Sequence, residues 1–196
     1  MAKILVLTGS PRRGGNTDTL LKSFIDGTEN SGAYIETINT ASLDIDPCTS
    51  CDGCYSTGEC VIDDAMEDIY VKLDSCDALV LASPIYFGGV TAQLKRVIDR
   101  LQKYWFINIG NNKNLEHKRT RGKRWGYLLS VGGMKGEKYS QGVILTAEIA
   151  CLTLNMRLSG HLCLQGYDEK GAIEKDSNVL EKAYQEGLKF AKLVSH

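Results

Sequence analysis

Residues 3–30, KILVLTGSPRRGGNTDTLLKSFIDGTEN, decide the fold because they contain a strand, a glycine-rich turn and a helix in one run. The apolar segment Lys3–Thr8 predicts a strand buried on both faces. Residues 17–30 predict a helix whose inward face carries Leu20, Leu21, Phe24 and Ile25. A buried strand that leads directly into such a helix is typical of a parallel sheet covered by helices.

The same alternation continues to the end of the chain. Strands are predicted at residues 33–39, 78–83, 124–131 and 158–165, and helices at residues 64–74, 91–103, 141–156 and 178–194. Five such units predict a flavodoxin-like α/β fold, a doubly wound five-stranded parallel sheet with strand order 2-1-3-4-5. We expect a single domain over residues 1–196, with the cysteine-rich loop 47–61 inserted after the second strand.

Composition narrows the functional class. The chain has 196 residues and a net charge of −1, so it has no general attraction to nucleic acid or to a membrane surface. No apolar run approaches the roughly 20 residues that a membrane helix needs. The N-terminal residues 1–13, MAKILVLTGSPRR, lack the long apolar core and cleavage site of a signal peptide, so we expect a cytoplasmic protein with reduced thiols.

The first glycine-rich loop, residues 9–17, follows the first strand and has the features of a phosphate site. Small residues let the backbone curl, and the N-terminus of the next helix attracts an anion. Ser10, Asn16 and Thr17 offer donors, and Arg12 or Arg13 adds charge. Gly15-Asn16 replaces the Lys-Ser/Thr of a nucleoside-triphosphate loop, which favours one terminal phosphate, as on FMN. The alternative is a tight turn with a solvated polar tip.

Two further loops are predicted at the same edge of the sheet. The loop 83–89 combines Pro84 and a glycine pair with the aromatic residues Tyr86 and Phe87, which suits a planar ring with polar edges. The loop 130–134 contains a second glycine pair that would close over the same ring. The loop 83–89 alone is equally consistent with a core-packing turn, and one glycine pair alone is a weak signal, but the three loops together favour a flavin site.

Four cysteines, Cys48, Cys51, Cys54 and Cys60, have the spacing C-x2-C-x2-C-x5-C. The repeated x2 spacing lets three thiolates wrap one iron–sulfur cluster, and Gly58 allows the chain to return Cys60 to it. Zinc, redox thiols and a loop without metal remain open alternatives. The other three cysteines lie in or beside apolar elements, which indicates packing: Cys76, Cys151 and Cys163.

Two charged segments carry further predictions. Residues 46–64 contain five carboxylates and no cation, which predicts that a cluster there has a low reduction potential, below that of the flavin. Residues 113–124 are strongly basic: Lys113, Lys118, Arg119, Arg121, Lys123 and Arg124. This segment is either a solvated loop or a docking site for an acidic ferredoxin or the 2′-phosphate of NADPH.

The GSPRRGGNT loop and the segment ASPIYFGGVTAQLKRVIDR (residues 82–100) resemble the NAD(P)H-dependent FMN reductase branch of the flavodoxin-like superfamily, and the cysteine run resembles its iron–sulfur flavoproteins. This resemblance spans nearly the whole chain. It implies a flavin-dependent oxidoreductase with FMN and a [4Fe–4S] cluster on the four cysteines. It also implies a homodimer or homotetramer.

The same resemblance implies a set of cofactor-binding residues. The FMN phosphate would be held by Ser10, Arg12, Asn16 and Thr17, and the ring by Pro84, Ile85, Tyr86, Phe87, Gly88, Gly132 and Gly133. Electrons would pass from ferredoxin or NAD(P)H through cluster and flavin to an acceptor, and no side chain is predicted to be catalytic. The alternatives are an FMN or quinone reductase without a cluster, and a non-catalytic electron carrier or flavin redox sensor.

Overall fold

The computed structural model describes residues 1–109 and 123–195, and within them it contains a five-stranded parallel sheet. The strand order is β2-β1-β3-β4-β5, which confirms the order predicted from the sequence. The strands are β1 (Lys3–Thr8), β2 (Tyr34–Asn39), β3 (Ala78–Pro84), β4 (Trp125–Gly132) and β5 (Arg157–Gln165). The central strand β3 is buried on both faces from Ala78 to Ser83, which is why its sequence is continuously apolar.

Helices cover both faces of the sheet. They are α1 (Asn16–Asn30), α2 (Gly53–Thr57), α3 (Met66–Ser75), α4 (Ala92–Asp99), α5 (Gln102–Asn108), α6 (Gln141–Thr153) and α7 (Ser177–Val194). On one face, Phe24 of α1 and Phe190 of α7 share a core with Val80. On the other, Ile69 of α3 and Leu94 of α4 belong to a second core together with residues of α5 and α6. None of the helices in the described ranges is long and apolar enough to cross a membrane.

The prediction of one helix over residues 91–103 is wrong in one respect, because this part of the chain forms two helices. The first, α4, ends at Asp99, and α5 begins at Gln102. Between them the N–H of Leu101 donates to the carbonyl oxygen of Ile98 (3.0 Å), three residues back, instead of continuing the α-helical pattern. The break places Arg100 at the junction, with its side chain turned into the protein and fully buried. The chain after α5 is described only as far as residue 109, and residues 110–122 lie outside the described residues.

The contact between α1 and α7 depends on two glycines that face each other across it. A Cβ atom at Gly187 would lie on the carbonyl oxygen of Phe24, and one at Gly27 would lie on that of Tyr184. Glycine at the centre of a helix normally costs about 1 kcal/mol relative to alanine. The close approach of the two backbones therefore explains why glycine occupies both positions.

Gly187→Ala is expected to lower the free energy of unfolding by about 3 kcal/mol, because a backbone carbonyl cannot move aside as a side chain can. Urea denaturation of the purified protein measures the change. Lys182→Ala, at an exposed position of the same helix, is the control and should change stability by less than about 0.5 kcal/mol. An increase in stability for Gly187→Ala would show that the two helices are not in backbone contact.

Candidate functional site

A cleft opens at the carboxyl edge of the sheet, where the loops after β1, β3 and β4 meet. The predicted cofactor-binding residues that line it are Ser10, Arg12, Asn16, Thr17, Pro84, Ile85, Tyr86, Gly132 and Gly133. Only Phe87 and Gly88 of the predicted set do not line it. Ligands of open α/β sheets bind at this edge because strand ends and helix N-termini converge there. The topology thus brings residues from three distant parts of the sequence to one place.

The first loop presents the N-terminus of α1 to the cleft. Gly15 caps this helix in an extended conformation and is buried, as are the side chains of Ser10 and Thr17. The backbone N–H groups of the first turn have no partner within the helix, so they and the helix dipole favour an anion at this point. Arg12 is exposed at the rim and adds a positive charge. This part of the cleft fits a phosphate group.

The side chain of Asn16 makes hydrogen bonds that were not predicted from the sequence. Its Nδ2 donates to the carbonyl oxygens of Glu169 (2.8 Å) and Tyr167 (3.2 Å), while its Oδ1 accepts from the N–H of Ile173 (3.3 Å). The amide therefore ties the first loop to the segment that follows β5. Asn16 lines the cleft, but these bonds leave its backbone N–H, rather than its side chain, as the group suited to a phosphate.

A fourth loop, which the sequence analysis missed, completes the cleft. Tyr167 and Asp168 follow β5 and line the cleft beside Gly133. A Cβ atom at Gly133 would lie 2.8 Å from Oδ1 of Asp168, so a larger residue would require the side chain of Asp168 to shift. The hydroxyl of Tyr167 donates to Asp176 (2.7 Å), which anchors the loop. The signal in the sequence was the position of these residues directly after the fifth strand.

The aromatic loop after β3 contains a tight turn. Tyr86 and Gly89 exchange two backbone hydrogen bonds of 3.0 Å, and the two residues between them, Phe87 and Gly88, have φ angles of 50° and 77°. This is the conformation that hairpin turns usually build with Asn-Gly. The side chain of Phe87 has a relative exposure of 110%, so it gains nothing from burial in return for the left-handed backbone.

Phe87→Asn is expected to raise the free energy of unfolding of the flavin-free protein by about 1 kcal/mol, because asparagine tolerates a left-handed backbone and little burial is lost. Urea denaturation again provides the measurement. Gly88→Ala, which puts a side chain on the next left-handed residue, should lower stability and serves as the opposite control. Loss of stability with Phe87→Asn would contradict the strain argument.

The four clustered cysteines form a second candidate site. Cys48, Cys51, Cys54 and Cys60 all line one small pocket. The chain coils around it through left-handed residues at Ser50 (φ 52°), Asp52 (φ 55°) and Gly58 (φ 73°), with the short helix α2 between the last two. Burial raises the pKa of the Cys54 thiol, and the neighbouring thiolates of Cys60, Cys48 and Cys51 raise it further. The loop thus brings the four cysteines to the wall of one pocket.

The four thiols are not arranged around a single metal ion. Within the described residues, no group of three or more His, Cys, Asp or Glu side chains could hold a single metal ion. A [4Fe–4S] cluster takes each thiolate on a different iron, so its four ligands surround a cube instead of meeting at one ion. The donor set of four thiols around a pocket fits that larger group.

The three remaining cysteines pack in or against the hydrophobic core. Cys76 and Cys151 are buried in the core that includes α3, and Cys163 packs against it. Burial raises the pKa of the Cys151 and Cys163 thiols to about 12. Their thiolate forms are therefore disfavoured, and no thiolate chemistry is assigned to them.

Two buried cations beside the cysteines were also missed. Arg100, at the end of α4, and Lys103, on α5, line the cysteine pocket. They form ion pairs with Asp64 and Glu59, two of the carboxylates on which the prediction of a low potential was based. These partners are far apart in sequence, so the acidic window 46–64 contained no sign of them. The surroundings of the thiols are less acidic than the window alone indicates.

The basic segment 113–124 is only partly described, and Arg124 does not belong to a docking surface. Its guanidinium is buried and donates to the carbonyl oxygens of Leu73 (2.6 Å) and Leu154 (3.3 Å) and to Sγ of Cys76 (3.3 Å). The prediction is therefore wrong for Arg124, which joins α3 to the end of α6. Lys123 is exposed, and the other basic residues of the segment lie outside the described ranges.

A larger cavity lies elsewhere but has the wrong chemistry for a nucleotide. It measures about 260 Å³, against about 120 Å³ for the cleft at the sheet edge, and is bounded by α4, α5 and α6. Its lining includes Ile98, Trp105 and Ile149, and its Lys95 and Asp99 neutralise each other in an ion pair of 2.7 Å. None of the described residues that line this cavity is a glycine, whereas glycine-rich loops line the cleft at the sheet edge, so that cleft is the candidate cofactor site.

Comparison with known proteins agrees with this geometry. Residues 2–144 match the family described as NADPH-dependent FMN reductase. An iron–sulfur flavoprotein of Methanocaldococcus jannaschii is 39% identical over 98 residues, which cover 50% of this chain and 51% of that protein. An iron–sulfur flavoprotein of Methanosarcina thermophila is 32% identical over 133 residues, 68% of this chain and 64% of that protein. The chain thus spans about half to two thirds of these relatives.

The fold is also that of known structures. A flavone reductase superposes with a TM-score of 0.72 at 20% sequence identity, covering 98% of this chain and 63% of that one. The family match extends from β1 through the first residues of α6, which includes the three glycine-rich loops and the cysteine loop. The chain therefore belongs to the NADPH-dependent FMN reductase family, within which its relatives include iron–sulfur flavoproteins.

Proposed function

We propose that this protein is an FMN-dependent oxidoreductase that takes electrons from NAD(P)H. The observation that carries the proposal is the convergence of three glycine-rich loops and the N-terminus of α1 in one cleft. Membership of the NADPH-dependent FMN reductase family supports both the flavin and the donor. The flavin, when bound, supplies the electron-transfer chemistry, so the protein's task is to bind and orient it.

Different residues would bind the phosphate end and the ring end of the cofactor. Ser10, Arg12 and Thr17, with the backbone N–H groups of the first turn of α1, would hold the phosphate. The ring would lie against residues 84–86, where Pro84 removes one N–H group and Tyr86 offers an aromatic surface. Gly132 and Gly133 would form its other edge, where a larger residue would require the side chain of Ile85 or Asp168 to shift.

We further propose that Cys48, Cys51, Cys54 and Cys60 hold a [4Fe–4S] cluster. Support comes from their common pocket, the left-handed turns that coil the chain around it, and the similarity to iron–sulfur flavoproteins. Such a cluster exchanges single electrons, whereas a nicotinamide delivers a hydride. A protein with both a flavin and this cysteine site would suit exchange between two-electron and one-electron partners.

Anaerobic stopped-flow mixing tests the electron donor. NADPH or NADH is expected to bleach the flavin absorbance of the purified protein in a saturable reaction, faster than reduced ferredoxin does at equal concentration. Reduction by ferredoxin alone would contradict the reductase assignment and would favour an electron carrier instead. Measuring the reduction rate at low and at high salt distinguishes NAD(P)H from ferredoxin further. Salt should slow reduction by ferredoxin more, because it screens the docking of an acidic protein more strongly.

We also propose that the protein is a homo-oligomer. Helix α6 has exposed apolar side chains at Leu145, Ile149 and Leu152, and Ile149 borders the cavity between α5 and α6. Apolar residues repeated along one exposed helix face are typical of a contact between subunits. Light scattering coupled to gel filtration should give a dimer or tetramer, and Ile149→Lys should reduce its mass. A monomer at micromolar concentration would contradict the proposal.

A further inference from the structure

The cysteine pocket is bordered by two cations that are almost completely withdrawn from solvent. The side chain of Arg100 is 0% exposed and that of Lys103 is 6% exposed, and both line the pocket together with the four cysteines. Burying a cation is costly unless anions and hydrogen-bond acceptors surround it, so two buried cations in one pocket wall require an explanation.

Arg100 holds the two ends of the cysteine loop together. Its Nη1 donates to the carbonyl oxygen of Asp46 (2.9 Å) and to Oδ2 of Asp64 (2.7 Å). Its Nη2 donates to the carbonyl oxygen of Ile62 (3.1 Å) and to Oδ1 of Asp64 (3.2 Å). Asp46 precedes the first clustered cysteine, whereas Ile62 and Asp64 follow the last. The guanidinium therefore closes the loop at its base.

The carboxylate of Asp64 strengthens the same closure. It accepts from the backbone N–H groups of Asp46 (2.9 Å) and Met66 (2.9 Å) in addition to the guanidinium. Burial opposes the charge on this carboxyl, but the hydrogen bond from Arg100 and the two backbone hydrogen bonds outweigh burial and lower its pKa. Asp64 is thus ionised and neutralises one of the two cations.

One donor of Arg100 has no acceptor. Its Nε is buried and makes no hydrogen bond within the described residues. A buried N–H without a partner is costly, and this donor belongs to a residue of the pocket wall. Cys60 lines the same pocket as Arg100. Thiolate sulfur accepts hydrogen bonds from such donors in iron–sulfur sites.

Lys103 is fixed by groups from the loop and from the core. Its Nζ forms an ion pair with Glu59, the residue before Cys60, and lies 4.3 Å from the centre of the Tyr70 ring and 5.5 Å from that of Tyr104. The side chain of Glu59 is 69% exposed, so water screens its charge more than that of the buried ammonium group. The positive charge of Lys103 therefore outweighs that of its partner at the pocket wall.

We propose that Arg100 and Lys103 raise the reduction potential of the cysteine-bound centre above the value that its acidic loop alone would give. The inference rests on the cluster proposed above. One-electron reduction adds a negative charge to a centre that is already anionic with four thiolates, and nearby cations and N–H donors stabilise that added charge. The two residues are thus positioning and tuning residues for the cluster, and neither is a ligand.

The test is an anaerobic redox titration of the full-length, flavin-loaded protein, with the cluster followed by electron paramagnetic resonance and the flavin by absorbance. Lys103→Met should make the cluster at least about tenfold harder to reduce, which is about 59 mV for one electron. Lys103→Arg, which keeps the charge, should change the equilibrium less than about threefold. Glu59→Gln should move the potential in the opposite direction, because it removes the neighbouring negative charge. The flavin potential should stay constant in all three variants.

The outcomes distinguish the tuning role of Arg100 and Lys103 from the presence of the cluster itself. Wild-type protein without iron and sulfide would overturn both. Full iron and sulfide with a cluster potential in Lys103→Met within threefold of wild type, or shifted upward, would overturn only the tuning role. If Lys103→Met does not retain its iron, Glu59→Gln decides the question, and an unchanged potential in that variant overturns the inference.

Discussion

Cys54→Ala is expected to remove more than about nine tenths of the bound iron and acid-labile sulfide while leaving FMN near one per chain. Cys54 is the best residue to replace because its thiol interacts with those of Cys48, Cys51 and Cys60. It lies on α2, where alanine is compatible with the helix, so loss of iron would report ligation rather than unfolding. Iron and sulfide assays on anaerobically purified protein give the measurement.

Cys163→Ala is the matched control for this variant. Cys163 packs against the core, away from the cysteine pocket, and its replacement should leave iron and sulfide unchanged at a modest cost in stability. Equal iron content in Cys54→Ala and wild type would contradict the assignment of the four cysteines as ligands. Loss of FMN together with iron would show that the two sites are not structurally independent.

Thr17→Val is expected to raise the dissociation constant of FMN by about 10- to 100-fold, and the double variant Ser10→Ala/Thr17→Val by about 100- to 1,000-fold. The reason is that a hydrogen bond to a charged phosphate contributes about 1.5–3 kcal/mol. Both side chains are buried where the first loop meets α1, so each replacement removes a hydroxyl group with little change in shape. Fluorescence titration of the flavin-free protein with FMN measures the affinity.

Thr28→Val provides the control within the same helix. Its hydroxyl is buried and donates to the carbonyl oxygen of Phe24 (2.8 Å), far from the N-terminus of α1. This variant should alter the unfolding free energy by about 1 kcal/mol and leave FMN affinity unchanged. An unchanged affinity in the Ser10/Thr17 double variant would place the phosphate elsewhere in the cleft.

The sheet and its order were predictable because the signals are local. Each strand is a short apolar run, each helix repeats at helical spacing, and the glycine-rich loops follow the strands directly. Parallel topology then places the ends of β1, β3 and β4 at one edge, so three loops distant in sequence could be assigned to one site. The cysteine loop was recognisable for the same reason, since its four thiols lie within 13 consecutive residues.

The missed features are contacts between distant segments. Arg100 meets Asp64 across 36 residues and Lys103 meets Glu59 across 44, and nothing in either segment identifies the other. The side chain of Asn16 donates a hydrogen bond to the carbonyl oxygen of Glu169, which lies 153 residues later in the sequence. The division of the helix at Arg100 accompanies the same contact, because the guanidinium turns inward to the cysteine loop. The charge counted along residues 46–64 therefore misjudged the electrostatics of the cysteine pocket, because the cations that line it come from a distant segment of the chain.

The central claim is that one chain carries both FMN and an iron–sulfur cluster, and cofactor analysis of anaerobically purified wild-type protein tests it most directly. Flavin, iron and acid-labile sulfide are measured against protein concentration, together with the visible absorption spectrum. We predict about one FMN, about four iron and about four sulfide per chain, with broad brown absorption beneath the flavin bands. A clean yellow flavin spectrum without iron or sulfide would contradict the claim.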